Sequence, residues 1–437
     1  MRSKKIHIER RCLAAILYLC CVAVQANDVK GSLSATSLFS DNGAKTQENP
    51  IEERQDLYEI GLTADYTNWL IEAEANYDWV SQKFSEQSQT DDRYAEGSSS
   101  VVFGKQEDPL ALELNHSRRI LLTTPDAVAL TQNQQAREMI SVLPEVRANF
   151  FAADRLLISG EFTRVSLLDN ELQDSERTGA SVGWLHPLSA VSFLRLNTQQ
   201  QKISFEHFPT ADYTFSGAML AYEVALRKLR YGLEVGYNQS EPEGGEKQGA
   251  PAYRLSAAYV SGFNQFTLGA SRVLTDTSFG NGNLENPSWL PGSDSLTQGV
   301  NRMDRTSVEM NWQTEIICTR CQFSFGASAA EDDYLEKDET SLSISSNMQF
   351  AYSFSSAASL SLSVRRSDVD FDDQAISGDY ELNTLSLQYT YNFDSGFSAL
   401  LKAENEERKT PGSISRSENG EGTYEENIYG VGLSYNF

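Results

Sequence analysis

The run Ser307-Val308-Glu309-Met310-Asn311-Trp312-Gln313-Thr314-Glu315-Ile316 alternates without a break. In an extended chain Val308, Met310, Trp312, Thr314 and Ile316 fall on one side, and Ser307, Glu309, Asn311, Gln313 and Glu315 on the other. One side suits lipid or a core, and the other suits water. The same period returns at 71–79, where Ile71, Ala73, Ala75, Tyr77 and Trp79 oppose Glu72, Glu74, Asn76 and Asp78. It returns again through Leu342, Ile344, Met348, Phe350, Tyr352 and Phe354, and through Leu385, Leu387, Tyr389, Tyr391 and Phe393. Each apolar face implies a strand of about 9–11 residues, the length that crosses a bilayer at a tilt and longer than the usual strand of a soluble sandwich.

The aromatics gather toward the ends of these segments, as the girdles of a membrane barrel do. Short connections are expected at Thr67-Asn68, Asp108-Pro109, Ala152-Ala153-Asp154, His186-Pro187-Leu188, Ser261-Gly262, Ser355-Ser356 and Asp394-Ser395-Gly396. Long ones are expected near 40–54, 122–136, 276–302 and 410–422, rich in Gly, Asn, Ser, Pro and charge. Counting from a first strand near 29–39 to a last at 423–437 gives an all-β, antiparallel, up-and-down transmembrane barrel of about 20 strands, 18–22 if a weak hairpin slips at 94–121 or 174–204. Strand-like sequence begins within a few residues of Ala26, so no plug domain is expected. Gln132–Ile140 is the one stretch whose pattern also admits a helix.

Composition agrees. The 437 residues carry 61 Asp+Glu against 36 Lys+Arg, a formal charge of −25, yet include 21 Phe, 19 Tyr and 5 Trp. So acidic a chain will not neutralise phosphates, so nucleic acid is not an expected partner. A mean hydropathy of −0.42 leaves no room for a bundle of apolar membrane helices. The aromatic content argues against disorder.

Arg2, Lys4, Lys5, Arg10 and Arg11 precede an apolar run, Cys12–Val24, that ends at Val24-Gln25-Ala26. That is the form of a secretory signal peptide over 1–26, cleaved after Ala26, leaving a barrel over 27–437. Removing its net +4 leaves about −29, and only Cys318 and Cys321 of the five cysteines. A disulfide-stapled scaffold is excluded; a disulfide across the Cys318-Thr-Arg-Cys321 turn suits an oxidising compartment. A single CxxC cannot complete a zinc site.

Catalytic motifs are sparse. His116 and Ser117 would suggest an acyl-transfer pair, but adjacent residues of a strand point to opposite faces. His186 reads as a turn residue and His207 as a loop residue. No catalytic, cofactor or metal residues are expected. Candidate pore-lining charges are Glu72, Glu74 and Asp78; Glu145 and Arg147; Arg230 and Glu234; Glu309 and Glu315; and Arg365, Lys402 and Glu404. Acids predominate, which favours cations. Glu331-Asp332-Asp333 and Asp372-Asp373 read as a solvated rim beside lipopolysaccharide. The long segment 276–302, with Trp289 between Pro287 and Pro291, is either a surface loop or one folded into the pore.

The chain ends Tyr429-Gly-Val-Gly-Leu-Ser-Tyr-Asn-Phe437, with Tyr429, Val431, Leu433, Tyr435 and Phe437 on one face. Alternating aromatics before a terminal Phe resemble the assembly signal of Gram-negative outer-membrane barrels. This implies export through the periplasm to the outer membrane, and the barrel-insertion machinery as a partner of Tyr435 and Phe437. The size, the absent plug and Tyr58-Glu-Ile-Gly-Leu-Thr-Ala-Asp-Tyr66 resemble the barrel porins associated with exopolysaccharide and PEP-CTERM exosortase clusters. That likeness implies a pore passing polysaccharide or other polar solutes, with polysaccharide-export components as partners. The alternative is a non-conducting barrel that scaffolds an envelope secretion complex.

Overall fold

The alternation closes on itself. In a computed structural model, which describes residues 28–104, 108–123, 127–151, 153–168, 171–279, 301–336, 339–372, 379–410 and 422–437, twenty antiparallel strands form one sheet with β1 paired to both β2 and β20. The expected signal at 1–26 lies outside the described residues. The strands are β1 Asp28–Ser40, β2 Glu53–Thr67, β3 Ile71–Phe84, β4 Asp92–Phe103, β5 Leu110–Leu122, β6 Gln134–Phe150 and β7 Asp154–Leu167. There follow β8 Ser175–Ser189, β9 Ser192–Phe205, β10 Tyr213–Ala225, β11 Leu229–Pro242, β12 Gln248–Ser261, β13 Asn264–Asp276 and β14 Arg302–Thr314. The last six are β15 Cys321–Tyr334, β16 Glu339–Ser353, β17 Ala358–Phe371, β18 Tyr380–Asn392, β19 Phe397–Lys409 and β20 Tyr424–Asn436.

Paired residues share a face, so the register carries one side around the barrel. Leu33 stands opposite Ile60, Ile60 opposite Trp79, and at the far side Leu401 opposite Val431. These residues are outward, and the exposed large apolar side chains collect on the same parity: Leu33, Ile60, Val182, Leu233, Val308, Leu387 and Val431. An outward apolar band around a closed sheet is what a bilayer solvates, and closure leaves no unpaired edge in lipid. The strands run from 12 to 17 residues, longer than the apolar faces alone predict. The excess lies toward the end with long connections, where outward positions turn polar at Arg54, Asp56, Lys202, Glu241 and Asp368.

Connections at one end hold between two and six residues, and those at the other between four and 25. Two local expectations change. Gln132–Ile140 is a single 3₁₀ turn, Thr131–Asn133, followed by β6. Pro187 does not turn the chain: β8 continues to Ser189 through a register shift between Pro187 and Ser189. A bulge is one of the few places where a sheet tolerates proline.

Followed strand by strand, the ladder returns to β1 displaced by about 26 residues, the stagger that links tilt to width. With strands about 4.8 Å apart and a rise of about 3.3 Å per residue, this gives a tilt near ~42° and a backbone radius of roughly 20 Å. The seam is tight. Gly31 and Phe437 exchange both backbone hydrogen bonds, at 2.9 and 3.0 Å. The Phe437 ring occupies the space a Gly31 side chain would need, 2.4 Å from its Cβ position. Tyr435 packs on Phe397 and Phe437 at ring-centroid distances of 4.6 and 5.8 Å.

Candidate functional site

The inner face is the surface this fold encloses. Register places Glu72, Glu74 and Asp78 of β3 there, with Glu145 and Arg147 of β6, Arg230 and Glu234 of β11, Glu309 of β14, Arg365 of β17, and Lys402 and Glu404 of β19. Glu315 is off the wall: β14 stops at Thr314, whose hydroxyl accepts the Ile316 amide, and Glu315 lies exposed in the following turn. Several charges engage one another. Arg147 Nε donates to Glu145 at 2.5 Å, Lys402 meets Glu404 at 3.0 Å, and Glu234 takes Arg195 at 2.7 Å and Arg254 at 3.6 Å.

The wall divides into arcs. From β2 to β5 it carries Glu59, Glu72, Glu74, Asp78, Glu96 and Glu113, and from β9 to β12 it carries Arg195, Arg230 and Arg254 with Glu223 and Glu234. From β14 to β18 the inner positions are mostly uncharged hydroxyls and amides, including Asn311, Ser328, Asn347, Gln349, Ser363 and Gln388.

The mouth at the long-loop end is narrowed from within. β12 pairs with β13 only as far as Tyr253 and Arg272, so Val273–Asp276 leave the wall. Asp276 then accepts from Arg177 Nη2 at 2.5 Å, from the Tyr213 hydroxyl at 2.6 Å and from the Ser278 hydroxyl at 2.6 Å. Arg177 and Tyr213 are inner-face residues of β8 and β10, so the chain from Asp276 to Phe279 sits inside the barrel. The Arg177 and Asp276 side chains are 4% and 0% exposed. Phe279 lies over the Arg177 guanidinium at 4.1 Å and packs on inner-face Leu121, Met139, Val165 and Leu167. Leu274 joins a second cluster with Ile203, Phe205, Tyr213, Phe215 and Ala250, and Leu335 covers it. Each large side chain so buried stabilises the inward position by about 1.5–3 kcal/mol. Arg302 ties the return strand to Ser240 at 2.9 Å and to Glu336 at 2.5 Å. The ends of the segment at 276–302, expected either as a surface loop or as one folded into the pore, thus run inward; Trp289, Pro287 and Pro291 lie outside the described residues.

The β1–β2 connection turns inward too. Lys45 reaches inner-face Glu406 at 2.6 Å and Glu426 at 3.4 Å, and stands 5.3 Å from the Tyr424 ring centroid. Burial pulls the Lys45 pKa down, but Glu406, Tyr424 and Glu426 outweigh it and hold the ammonium above its ordinary value. A raised lysine pKa means that this stabilisation is complete below the ordinary value and is lost only as pH climbs through the raised one. Lys45→Met is expected to loosen residues 41–52, read as faster amide hydrogen exchange there at neutral pH; unchanged protection would oppose a latch.

At the short-turn end Cys318 and Cys321 form a disulfide with Cα atoms 5.0 Å apart. His186 is an outward strand residue rather than a turn residue: its Nδ1 meets Asp154 at 2.5 Å, and Trp184 Nε1 donates to the same carboxylate at 3.1 Å. His207 stays in a loop, 3.7 Å from Glu171. Of the acidic rim, Glu331, Asp332 and Asp333 end β15, and Asp372 follows β17; Asp373 lies outside the described residues.

His116 and Ser117 point to opposite faces, as adjacent strand residues must. His116 sits midway along β5, and register puts it on the outward face opposite Ser99 and Ile140. Ser117, its sequence neighbour, faces inward and is buried. The Tyr77 hydroxyl lies 2.5 Å from His116 Nδ1 and 3.0 Å from Ser99 Oγ, while His116 Nε2 lies 3.1 Å from Glu138 Oε1. Gly97 makes this possible. Its φ is +145°, and a Cβ there would fall 2.8 Å from the Tyr77 ring. Among the described residues no group of three or more His, Cys, Asp or Glu side chains is arranged to hold a metal.

No protein-family model matches the chain, and no curated protein does. Solved structures do. OccK2 (OpdF) of Pseudomonas aeruginosa aligns over 94% of this chain and 99% of its own at 11% identity and a TM-score of 0.43. The siderophore receptor PirA of the same organism aligns over 94% and 80% at 11% identity and 0.40. OmpT, an outer membrane protein of Vibrio cholerae, aligns over 94% and 97% at 11% identity and 0.36.

Proposed function

We propose that this chain is a Gram-negative outer-membrane channel for polar solutes, with its short turns in the periplasm and its long loops outside. The observation that supports it is a closed barrel of roughly 20 Å backbone radius whose inner face is polar, since barrels of 16–18 strands already hold an aqueous channel. The inward β13–β14 hairpin and Lys45 loop narrow the mouth and set its limiting width. The mostly uncharged arc from β14 to β18 suits solutes rich in hydroxyls, so carbohydrate, including an exported polysaccharide, is the cargo we favour. Planar-bilayer recording of the refolded protein is expected to give discrete conductance steps.

One observation favours the second reading, a non-conducting scaffold. The short turns display large apolar side chains, among them Trp69 at 78%, Phe151 at 85% and Phe263 at 66% exposure, which would seat a periplasmic partner. A folded barrel that shows no conductance would favour the scaffold and overturn the channel.

A further inference from the structure

We propose that Ser99, Tyr77, His116 and Glu138 form an acyl-ester hydrolase site on the membrane-facing surface, with a diacyl phospholipid as substrate. Ionisable groups facing lipid are costly, about 2–4 kcal/mol for a basic residue at mid-depth, and mark functional positions by default. These four are also ordered as a proton relay. With Glu138 ionised, His116 Nε2–H donates to it, leaving Nδ1 as acceptor for the Tyr77 hydroxyl at 2.5 Å. Tyr77 in turn accepts from Ser99 Oγ at 3.0 Å. Every donor has one acceptor along this path, and it ends on a serine hydroxyl. Acyl transfer requires a nucleophile linked to a base that a third group orients; here Tyr77 links Ser99 to His116, and Glu138 orients His116.

Depth fits the substrate. On β11 the outward positions Tyr231, Leu233, Val235 and Tyr237 are apolar in succession, as are Tyr435, Leu433, Val431 and Tyr429 on β20. On β4 only Val101 and Phe103 lie between Ser99 and the short-turn end, and on β5 the outward positions His116 and Arg118 follow Leu114 directly. A short apolar span thins the bilayer beside it, which brings lipid ester carbonyls down toward Ser99. Arg118 stands opposite Glu138 in the ladder and Gly97 on the other side, and its buried Nε has no hydrogen-bond partner. Its positive charge, which also acts on Glu138, favours a developing oxyanion on this face.

The chemistry balances with water as the second reactant. Ser99 Oγ bonds to the acyl carbon as its proton passes to Tyr77 and the Tyr77 proton passes to His116. The carbon–oxygen bond to glycerol breaks, and the leaving alkoxide takes the proton back along the relay. Water then attacks acyl-Ser99, gives its proton to the same relay, and the returning proton restores the serine hydroxyl as the fatty acid departs.

The test uses the full folded chain in mixed micelles of detergent and diacyl phosphatidylethanolamine, reading fatty-acid release, with fluorophosphonate labelling mapped by mass spectrometry. Wild-type protein is expected to release fatty acid and to label at Ser99. Ser99→Ala and His116→Gln should each lower release by about 10³-fold or more, and Tyr77→Phe should lower it as well. Heat-modifiable electrophoretic mobility and unchanged bilayer conductance would certify the fold of each variant, and conductance keeps this result separate from the channel reading. Release by wild type no greater than by Ser99→Ala, or label only at other residues, would overturn the site. Full activity of Tyr77→Phe would overturn the relay.

Discussion

Asp276→Ala is expected to release the top of the β13–β14 hairpin and raise single-channel conductance. The carboxylate is fully buried and accepts from Arg177, Tyr213 and Ser278, so its loss leaves the Arg177 guanidinium buried without its counter-charge. Removing one partner of a buried pair costs about 3–5 kcal/mol, enough to offset the burial of Leu274 and Phe279 that holds the hairpin in. Because the barrel behind the constriction is wide, release should increase conductance by roughly twofold or more. Arg177→Met combined with Asp276→Leu replaces the pair by apolar groups of similar size and should keep the narrow state. Unchanged conductance in Asp276→Ala would sink the idea that this hairpin sets the width.

The second large effect concerns ion selectivity. Asp78 stands directly opposite Glu96 in the ladder, and Glu59 lies one strand over on the same inner face. Three carboxylates gathered on one wall attract cations and repel anions, more strongly in a confined lumen than in bulk water. The wild-type channel should therefore prefer potassium over chloride, most clearly at low ionic strength, where screening is weak. Joint replacement by Glu59→Gln, Asp78→Asn and Glu96→Gln should bring the permeability ratio close to one. Reversal potentials under a salt gradient read this directly, and a triple variant as cation-selective as wild type would assign selectivity elsewhere.

Much of the barrel is legible in the amino-acid order, because a strand between lipid and water must alternate and each alternation reports its own face. The run from Val308 to Trp312, the β3 pair of faces and the terminal Tyr-Asn-Phe all sit where period two puts them. What is not legible is whatever depends on contacts between distant strands. The His116 partners come from positions 39 residues before it and 22 after it, and the Ser99 partner Tyr77 is 22 residues away, with no motif linking them. A lone histidine beside an inward serine gave no hint of them. The only local signal was Gly97, a residue without a side chain where Tyr77 needs room. The inward hairpin was equally hidden, because Leu274 and Asp276 keep the outward parity of β13; the strand leaves the wall and brings that face against the opposite inner surface. Glu315 misled because alternation runs one step past the hydrogen-bonded end of β14.

The seam between Gly31 and Phe437 has a consequence for how the molecule comes to exist. β1 and β20 are each other's partners, and Phe437 supplies both a backbone pair and the ring that covers Gly31. No intermediate lacking β20 can close on β1, so a chain without it presents open edges of unpaired amides and carbonyls. Closure joins β1 to β20, strands far apart in the sequence, a contact slow to find by diffusion. Maturation of this protein is therefore timed by the arrival of β20, and any agent that shields those open edges until then governs how much functional barrel is made.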